Sequence, residues 1–249
     1  MKNLLSTFTR FMAKYYLLLI PIFFGILIPL LAFAKSAEEV WSEGGFERDV
    51  PVLQFIHQYS NPTFDHLMVF ITRLGGIMYM IPFTAVTLFF LLRSKYRSGA
   101  WFFVLAVGGA GVLNLLVKAV FHRARPTLWI SPAPEYDYSF PSGHSMLTMA
   151  VVTALILLTW RTRWRWPVFF CGGLFVIAVG FSRAYLGVHF PSDVLAGWSA
   201  SLAWVSSVYL VLSSNGRLHW PRQNTAVSEH NIDTKKKQNN TQMVYQSAP

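Results

Sequence analysis

Six stretches of this chain, at about 15–34, 67–92, 100–121, 141–160, 167–187 and 191–213, are apolar over nearly the length a helix needs to cross a bilayer, about 20 residues. Six such runs within 249 residues leave few ways to fold. In hydrocarbon each backbone N–H and C=O must be paired inside its own segment, so the runs predict helices. The expected fold is all-α, a polytopic bundle of six transmembrane helices. A mean hydropathy of +0.40 and a charged fraction of only 13% exclude an ordinary soluble domain.

The formal charge of +10 raises nucleic-acid binding, but the cations lie in short clusters between apolar runs rather than on one basic face. Membrane orientation explains them, and no nucleic-acid partner is expected. Lys2, Arg10 and Lys14 precede the first run, Arg93, Lys95 and Arg97 follow the second, Arg161, Arg163 and Arg165 follow the fourth, and Arg217 onward follows the sixth. The positive-inside rule places all four groups, and so both termini, in the cytoplasm. The opposite side receives 35–66, with Glu38, Glu39, Glu43, Glu47, Asp49 and Asp65, together with the connection 122–140 and the turn at 188–190.

The basic start, apolar run and Ala32-Phe33-Ala34 resemble a secretory signal with a cleavage site. The run exceeds a typical signal core, which favours a retained helix. Val52, Phe55, Ile56 and Tyr59 recur at helical spacing, as in a short helix lying in the membrane interface or a loop packed on the bundle. Residues 1–221 read as one six-span domain, with core motifs at 118–193, and 222–249 as a polar, disordered cytoplasmic tail. Cys171, the single cysteine, allows no internal disulfide and reads as a packing residue. No solenoid repeat, dinucleotide fingerprint or P-loop is present.

Three stretches on the outer side carry chemistry. In KAVFHRARP, Lys118 and Arg125 are two helical turns apart at the end of the third run, and Pro126 stops the helix. They are either snorkelling anchors or ligands for an anion, on a face otherwise poor in cations. Pro141-Ser142-Gly143-His144 opens the fourth run. A helix start there would offer free N–H groups and a favourable dipole to phosphate, with Gly143 permitting close approach and His144 able to exchange a proton. In the third stretch, Ser182-Arg183 is followed by His189-Phe190-Pro191-Ser192-Asp193, with His189 and Asp193 four apart. That is an ordinary helix start with a hydrogen-bonded His, or an imidazole whose tautomer is fixed by a carboxylate.

Taken together and in this order, the motifs match K-x6-RP, PSGH and SR-x5-H-x3-D at every position, and the chain resembles the type-2 phosphatidic acid phosphatase superfamily over about 100–213. The resemblance implies that His189 attacks phosphorus and becomes a phosphohistidine, Asp193 orients it, and His144 protonates the leaving oxygen and then helps activate water. It implies that Lys118, Arg125 and Arg183 hold the phosphoryl oxygens, aided by Ser142 and the Gly143 amide. Three fixed cations supply the charge that Mg²⁺ supplies elsewhere. No carboxylate cluster suits a metal, so no metal or other cofactor is expected. Arg73, beside Gly75-Gly76, either snorkels or meets a head group, and His57, His66 and His122 show no partner pattern.

The implied function is hydrolysis of a lipid phosphate at the extracytoplasmic face of a bacterial inner (plasma) membrane, the lipid tail staying in the bilayer. Undecaprenyl diphosphate is the first choice. Phosphatidylglycerophosphate, phosphatidic acid and lipid phosphotransfer are the alternatives, and a transporter or non-catalytic head-group binder is the reading from another class. The sequence fixes no oligomeric state.

Overall fold

Runs rich in Leu, Val, Phe and Ala satisfy their own backbone hydrogen bonds, and each becomes helical in the computed structural model, which describes residues 19–214 and Leu218. Among the described residues there are eight helices and no strand. They are α1 (Leu19–Glu43, with a π-helical turn over Phe23–Leu27), α2 (Asp49–His57), α3 (Pro62–Gly75), α4 (Ile77–Arg93), α5 (Arg97–Phe121), α6 (Gly143–Thr159), α7 (Arg165–Tyr185) and α8 (Pro191–Ser214). The readings placed on Lys2, Arg10, Lys14, Arg217 and the 222–249 tail lie outside the described residues. Ala32, Phe33 and Ala34 lie inside α1, which continues to Glu43.

Four helices, α1, α5, α7 and α8, are long and apolar enough to cross a membrane. The second run is a bent pair rather than one straight span: α3 and α4 meet at 42°, which makes at most a fifth crossing. The break falls at Gly76, whose backbone is extended (φ −79°, ψ 162°). The adjoining Gly75 is where this bend packs tightest, since a Cβ there would lie 2.5 Å from a Val179 methyl. The fourth run also departs from the expected six. Its helix, α6, has 17 residues, a length of about 25 Å, because Pro141 and Ser142 belong to the incoming loop. It lies at the centre of the bundle instead of on its rim, against α5, α7 and α8.

Around α6 the core is built from Phe102, Phe103 and Ala106 of α5, Ala150, Val151 and Ala154 of α6 itself, and Val205 of α8. Small residues let these helices approach closely, as in membrane bundles generally. Ser201 on α8 donates to the Met146 carbonyl at 2.7 Å, and a Cβ on Gly197 would lie 2.9 Å from the Ser142 carbonyl oxygen. Gly197→Ala therefore has to part α8 from the start of α6, an overpacking cost of about 1–3 kcal/mol. The melting temperature of the detergent-solubilised protein is expected to fall by several degrees, and an unchanged value would show that the two backbones have room to spare.

On the outside, Leu30, Leu31, Phe89, Phe90, Leu115, Leu116, Phe170 and Leu174 are exposed. An apolar surface this extensive requires lipid, and the chain is a multi-pass membrane protein. Cys171 is exposed on α7 rather than packed, in the same apolar surroundings. The segment 49–57 is helical, with Leu53 and Asp49 turned inward while Val52 and Phe55 are exposed, as suits a helix at an interface.

Candidate active site

The C-terminal end of α5, the loop 122–142, the start of α6, the end of α7 and the start of α8 come together at one end of the bundle. His189, in the short turn between α7 and α8, is fully buried. Its Nε2 accepts from Arg125 Nη1 at 3.1 Å. A guanidinium only donates, so Nε2 must carry the lone pair and Nδ1 the proton. Nδ1 faces Asp193 Oδ2 at 3.5 Å and Ser139 Oγ at 3.4 Å. The ring thus presents an unprotonated nitrogen to the pocket. Burial, then the charges of Arg183 and Arg125, push this imidazole well below its ordinary 6.5 against the pull of Glu135, so it is neutral at pH 7.

Asp193 is held from several sides. Oδ1 accepts from Arg123 Nη1 at 2.6 Å, and Oδ2 accepts from Ser139 Oγ and from the Phe190 amide at 2.9 Å. Arg123 in turn donates through Nη2 to Asp49 at 2.8 Å, through Nη1 to Ser192 at 2.8 Å and through Nε to the Gly44 carbonyl at 2.9 Å, and it lies over the Phe190 ring. A cation between two buried carboxylates cancels charge that neither could carry alone.

Lys118, Arg125 and Arg183 all reach the pocket, and each meets a carboxylate from the loop. Lys118 donates to Asp137 and to the Tyr138 carbonyl at 2.6 Å. Arg125 donates to Asp137 and to the Val188 carbonyl at 2.6 Å, and pairs with Glu135 at 2.8 Å. Arg183, whose side chain is 1% exposed, donates through Nη1 to Thr72 at 2.6 Å, while Nη2 stands 2.5 Å from Glu135 Oε1. Nη2 therefore has Glu135 as its ion-pair partner, while Nε of this buried guanidinium has no hydrogen-bond partner among the described residues.

Glu135 sits where these groups converge. Oε1 is 3.6 Å from His144 Nδ1, and Oε2 is 3.7 Å from His189 Nε2. Burial alone would raise this carboxyl, but the charges of Arg183, His144, His189 and Arg125 outweigh it and hold it below its ordinary range. Asp137 behaves likewise: burial opposes ionisation, and Lys118 with Arg125 overcomes it and brings the carboxyl down to about 2. Both loop acids are therefore anions at neutral pH.

Of the positions singled out from sequence, His144, His189, Lys118, Arg125 and Arg183 line this pocket and Asp193 stands behind His189. Ser142 and Gly143 are placed differently. Among the described contacts neither reaches the Glu135 carboxylate: Ser142 accepts from Ser145 Oγ at 3.0 Å, and Gly143 packs beside Asn114. Ser142 still ties the stretches together, its amide donating to the Asp193 carbonyl at 3.1 Å. Arg73 is exposed at the end of α3, next to the Thr72 that meets Arg183. Sequence reasoning passed over Glu135, Asp137, Arg123 and Asp49. A signal for the first two existed, because they are the only acidic residues between Asp65 and Asp193.

The chain is similar to known proteins in sequence and fold. The profile of the PAP2 superfamily matches residues 99–217. An undecaprenyl-diphosphatase of Sulfolobus acidocaldarius is 30% identical over 208 residues, 82% of this chain and 95% of that protein. A phosphatidylglycerophosphatase B of Bacillus subtilis is 35% identical over 149 residues, 57% of this chain and 71% of that protein. Among solved structures, the transmembrane PAP2-type phosphatidylglycerolphosphate phosphatase of Bacillus subtilis superposes with a TM-score of 0.67 at 26% identity, over 76% of this chain and 96% of that one. A relative matched along nearly its whole length and a shared helical fold, joined to the superfamily profile over the motif-bearing region, establish that the chain belongs to the PAP2 superfamily.

Proposed function

We propose that this protein is an integral-membrane hydrolase that removes the terminal phosphate of undecaprenyl diphosphate through a phosphohistidine on His189. Phosphatase names among its relatives make a lipid phosphate hydrolase the activity class. The observation that carries the finer reading is Glu135, an anion already held between two imidazoles by two guanidiniums. Replacing that carboxylate with a phosphoryl group leaves every donor in place.

The chemistry follows from the tautomer. His189 Nε2 forms the bond to phosphorus as the bond to the leaving oxygen breaks, and His144 gives that oxygen a proton, releasing lipid monophosphate from a diphosphate. Asp193 stabilises the positive ring through Nδ1. Water, giving its proton to His144, then attacks phosphorus, the N–P bond breaks, and inorganic phosphate leaves. Lys118, Arg125 and Arg183 neutralise the phosphoryl oxygens throughout, assisted by Ser142 and the Gly143 amide at the start of α6. With this much fixed charge, turnover is expected to persist in chelator.

In this reading α6 serves as a sixth span, shielded by its neighbours from the need for full length. The cations Arg93, Lys95, Arg97, Arg161, Arg163 and Arg165 support, by the positive-inside rule, a cytoplasmic side for their end and for both termini, and an extracytoplasmic face of the inner membrane for the pocket. The 30%-identical relative supports undecaprenyl diphosphate, while the phosphatidylglycerophosphatase relative supports phosphatidylglycerophosphate as second choice. The deciding assay uses the full chain in detergent with chelator and compares phosphate release from undecaprenyl diphosphate, phosphatidylglycerophosphate, phosphatidic acid and lysophosphatidic acid. Undecaprenyl diphosphate is expected to give the highest kcat/KM. No release from any of the four contradicts hydrolysis, and release only on adding an acceptor lipid identifies a phosphotransferase.

A further inference from the structure

We propose that Glu135 is an internal competitor at this site, a carboxylate that weakens the binding of inorganic phosphate and of monoanionic phosphodiester head groups. The inference rests on the lipid-phosphatase reading of the same pocket. A site with three cations and two imidazoles at a membrane surface faces abundant phospholipid head groups, most of them phosphodiesters of one negative charge. Without a counter-anion it would fill with them.

The loop supplies that counter-anion in the right place. Glu135 and a phosphoryl group need the same donors, Arg183 Nη2 at 2.5 Å and Arg125 Nη2 at 2.8 Å, so the two cannot bind together. Asp137 occupies Lys118 and shares Arg125 Nη2 with Glu135. Yet the carboxylate is an imperfect ligand. It leaves Nε of the buried Arg183 without a partner, which a tetrahedral dianion, with more oxygens and more charge, is shaped to fill.

The loop is also built to release it. One anchor is Trp129, stacked on His57 at 3.9 Å, and the other is the Ser139 amide, bonded to the Arg123 carbonyl at 2.8 Å. Between them Ile130 and Tyr136 are 97% and 96% exposed, so little apolar burial holds the segment down. A cavity lined by Arg125, Trp129, Pro134, Glu135 and Val188 lies beside the carboxylate and gives it somewhere to go. Tethered a few residues from its site, the carboxylate competes at an effective concentration on the order of millimolar. A monoanion gains no charge by replacing it, whereas a terminal phosphomonoester, near two charges, does. The lipid substrate is moreover concentrated in the bilayer plane, and soluble phosphate is not.

Glu135→Gln removes the charge and keeps the shape. If the wild-type pocket is open about a tenth of the time, the variant binds phosphoryl ligands about tenfold more tightly. The expected results are a tenfold fall in the inorganic phosphate, and in the phosphatidylglycerol, that halves hydrolysis at low substrate. Phosphate is also expected to raise the melting temperature more than in wild type, and kcat/KM to increase. Glu47→Gln, an exposed site with the same change of net charge, keeps wild-type values. Unchanged half-inhibitory concentrations and melting shifts overturn the proposal, as does a collapse of kcat/KM with an unchanged phosphate shift, which would make Glu135 a catalytic group. Absence of release from every lipid phosphate contradicts the hydrolase reading instead, and the melting shifts still decide whether Glu135 competes for the anion site.

Discussion

His189→Ala is expected to lower phosphate release from undecaprenyl diphosphate by roughly a thousandfold or more, since removal of the proposed nucleophile, acting in concert with its neighbours, forfeits nearly all that they contribute together. The fold should survive. Asp193 keeps Arg123, Ser139 and the Phe190 amide as partners when the imidazole is gone, so its charge is not orphaned. The variant is therefore expected to elute from size exclusion like wild type and still to be stabilised by inorganic phosphate through Lys118, Arg125 and Arg183. Folded, phosphate-binding and inactive is the combination to look for. Substantial residual turnover would move the nucleophile elsewhere.

Arg123→Ala should be strongly destabilising. It strips the compensating charge from Asp49 and Asp193, whose side chains are 5% and 0% exposed, and opening a buried ion pair from one side costs about 3–5 kcal/mol. Lysine is a poor substitute, because the bonds to Gly44, Ser192, Asp49 and Asp193 use Nε, Nη1 and Nη2 of one planar fork. Arg123→Lys is expected to fold with a lowered melting temperature and to lose kcat more than it raises KM, because Asp193 loses its aim at His189 while the phosphate cations remain. Thermal unfolding in detergent, paired with steady-state kinetics, measures both. If Arg123→Ala keeps the wild-type melting temperature, the buried network is not what holds α2 against the start of α8.

Arg123 is not a signature position of the three motifs. It lies inside the K-x6-RP stretch, but its partners are some seventy residues away in either direction, Asp49 before it and Asp193 after it, and no local pattern joins them. The helices were legible because hydropathy reports burial in lipid directly, and α5, α7 and α8 begin and end within three residues of the apolar runs. Hydropathy does not report direction. The bend at Gly76 and the short, central α6 were both read as ordinary spans because their composition is as apolar as their neighbours'. The positions spelled by the three motifs could be singled out because ionisable residues beside membrane segments are scarce. Glu135 and Asp137 share that scarcity, but they lie in a loop without periodicity, and their significance depends on Arg183, Arg125 and Lys118 being folded around them.

On the proposed route, a phosphoryl group takes the place of the Glu135 carboxylate and transfers to His189. Brief reaction of the purified protein with undecaprenyl diphosphate radiolabelled in its terminal phosphate, followed by rapid alkaline quench and peptide mapping, tests it most directly. The account predicts an acid-labile, base-stable label on the peptide containing His189, formed and lost at rates that support turnover. Full turnover with no label on His189 at any time, or label on another side chain, would contradict it.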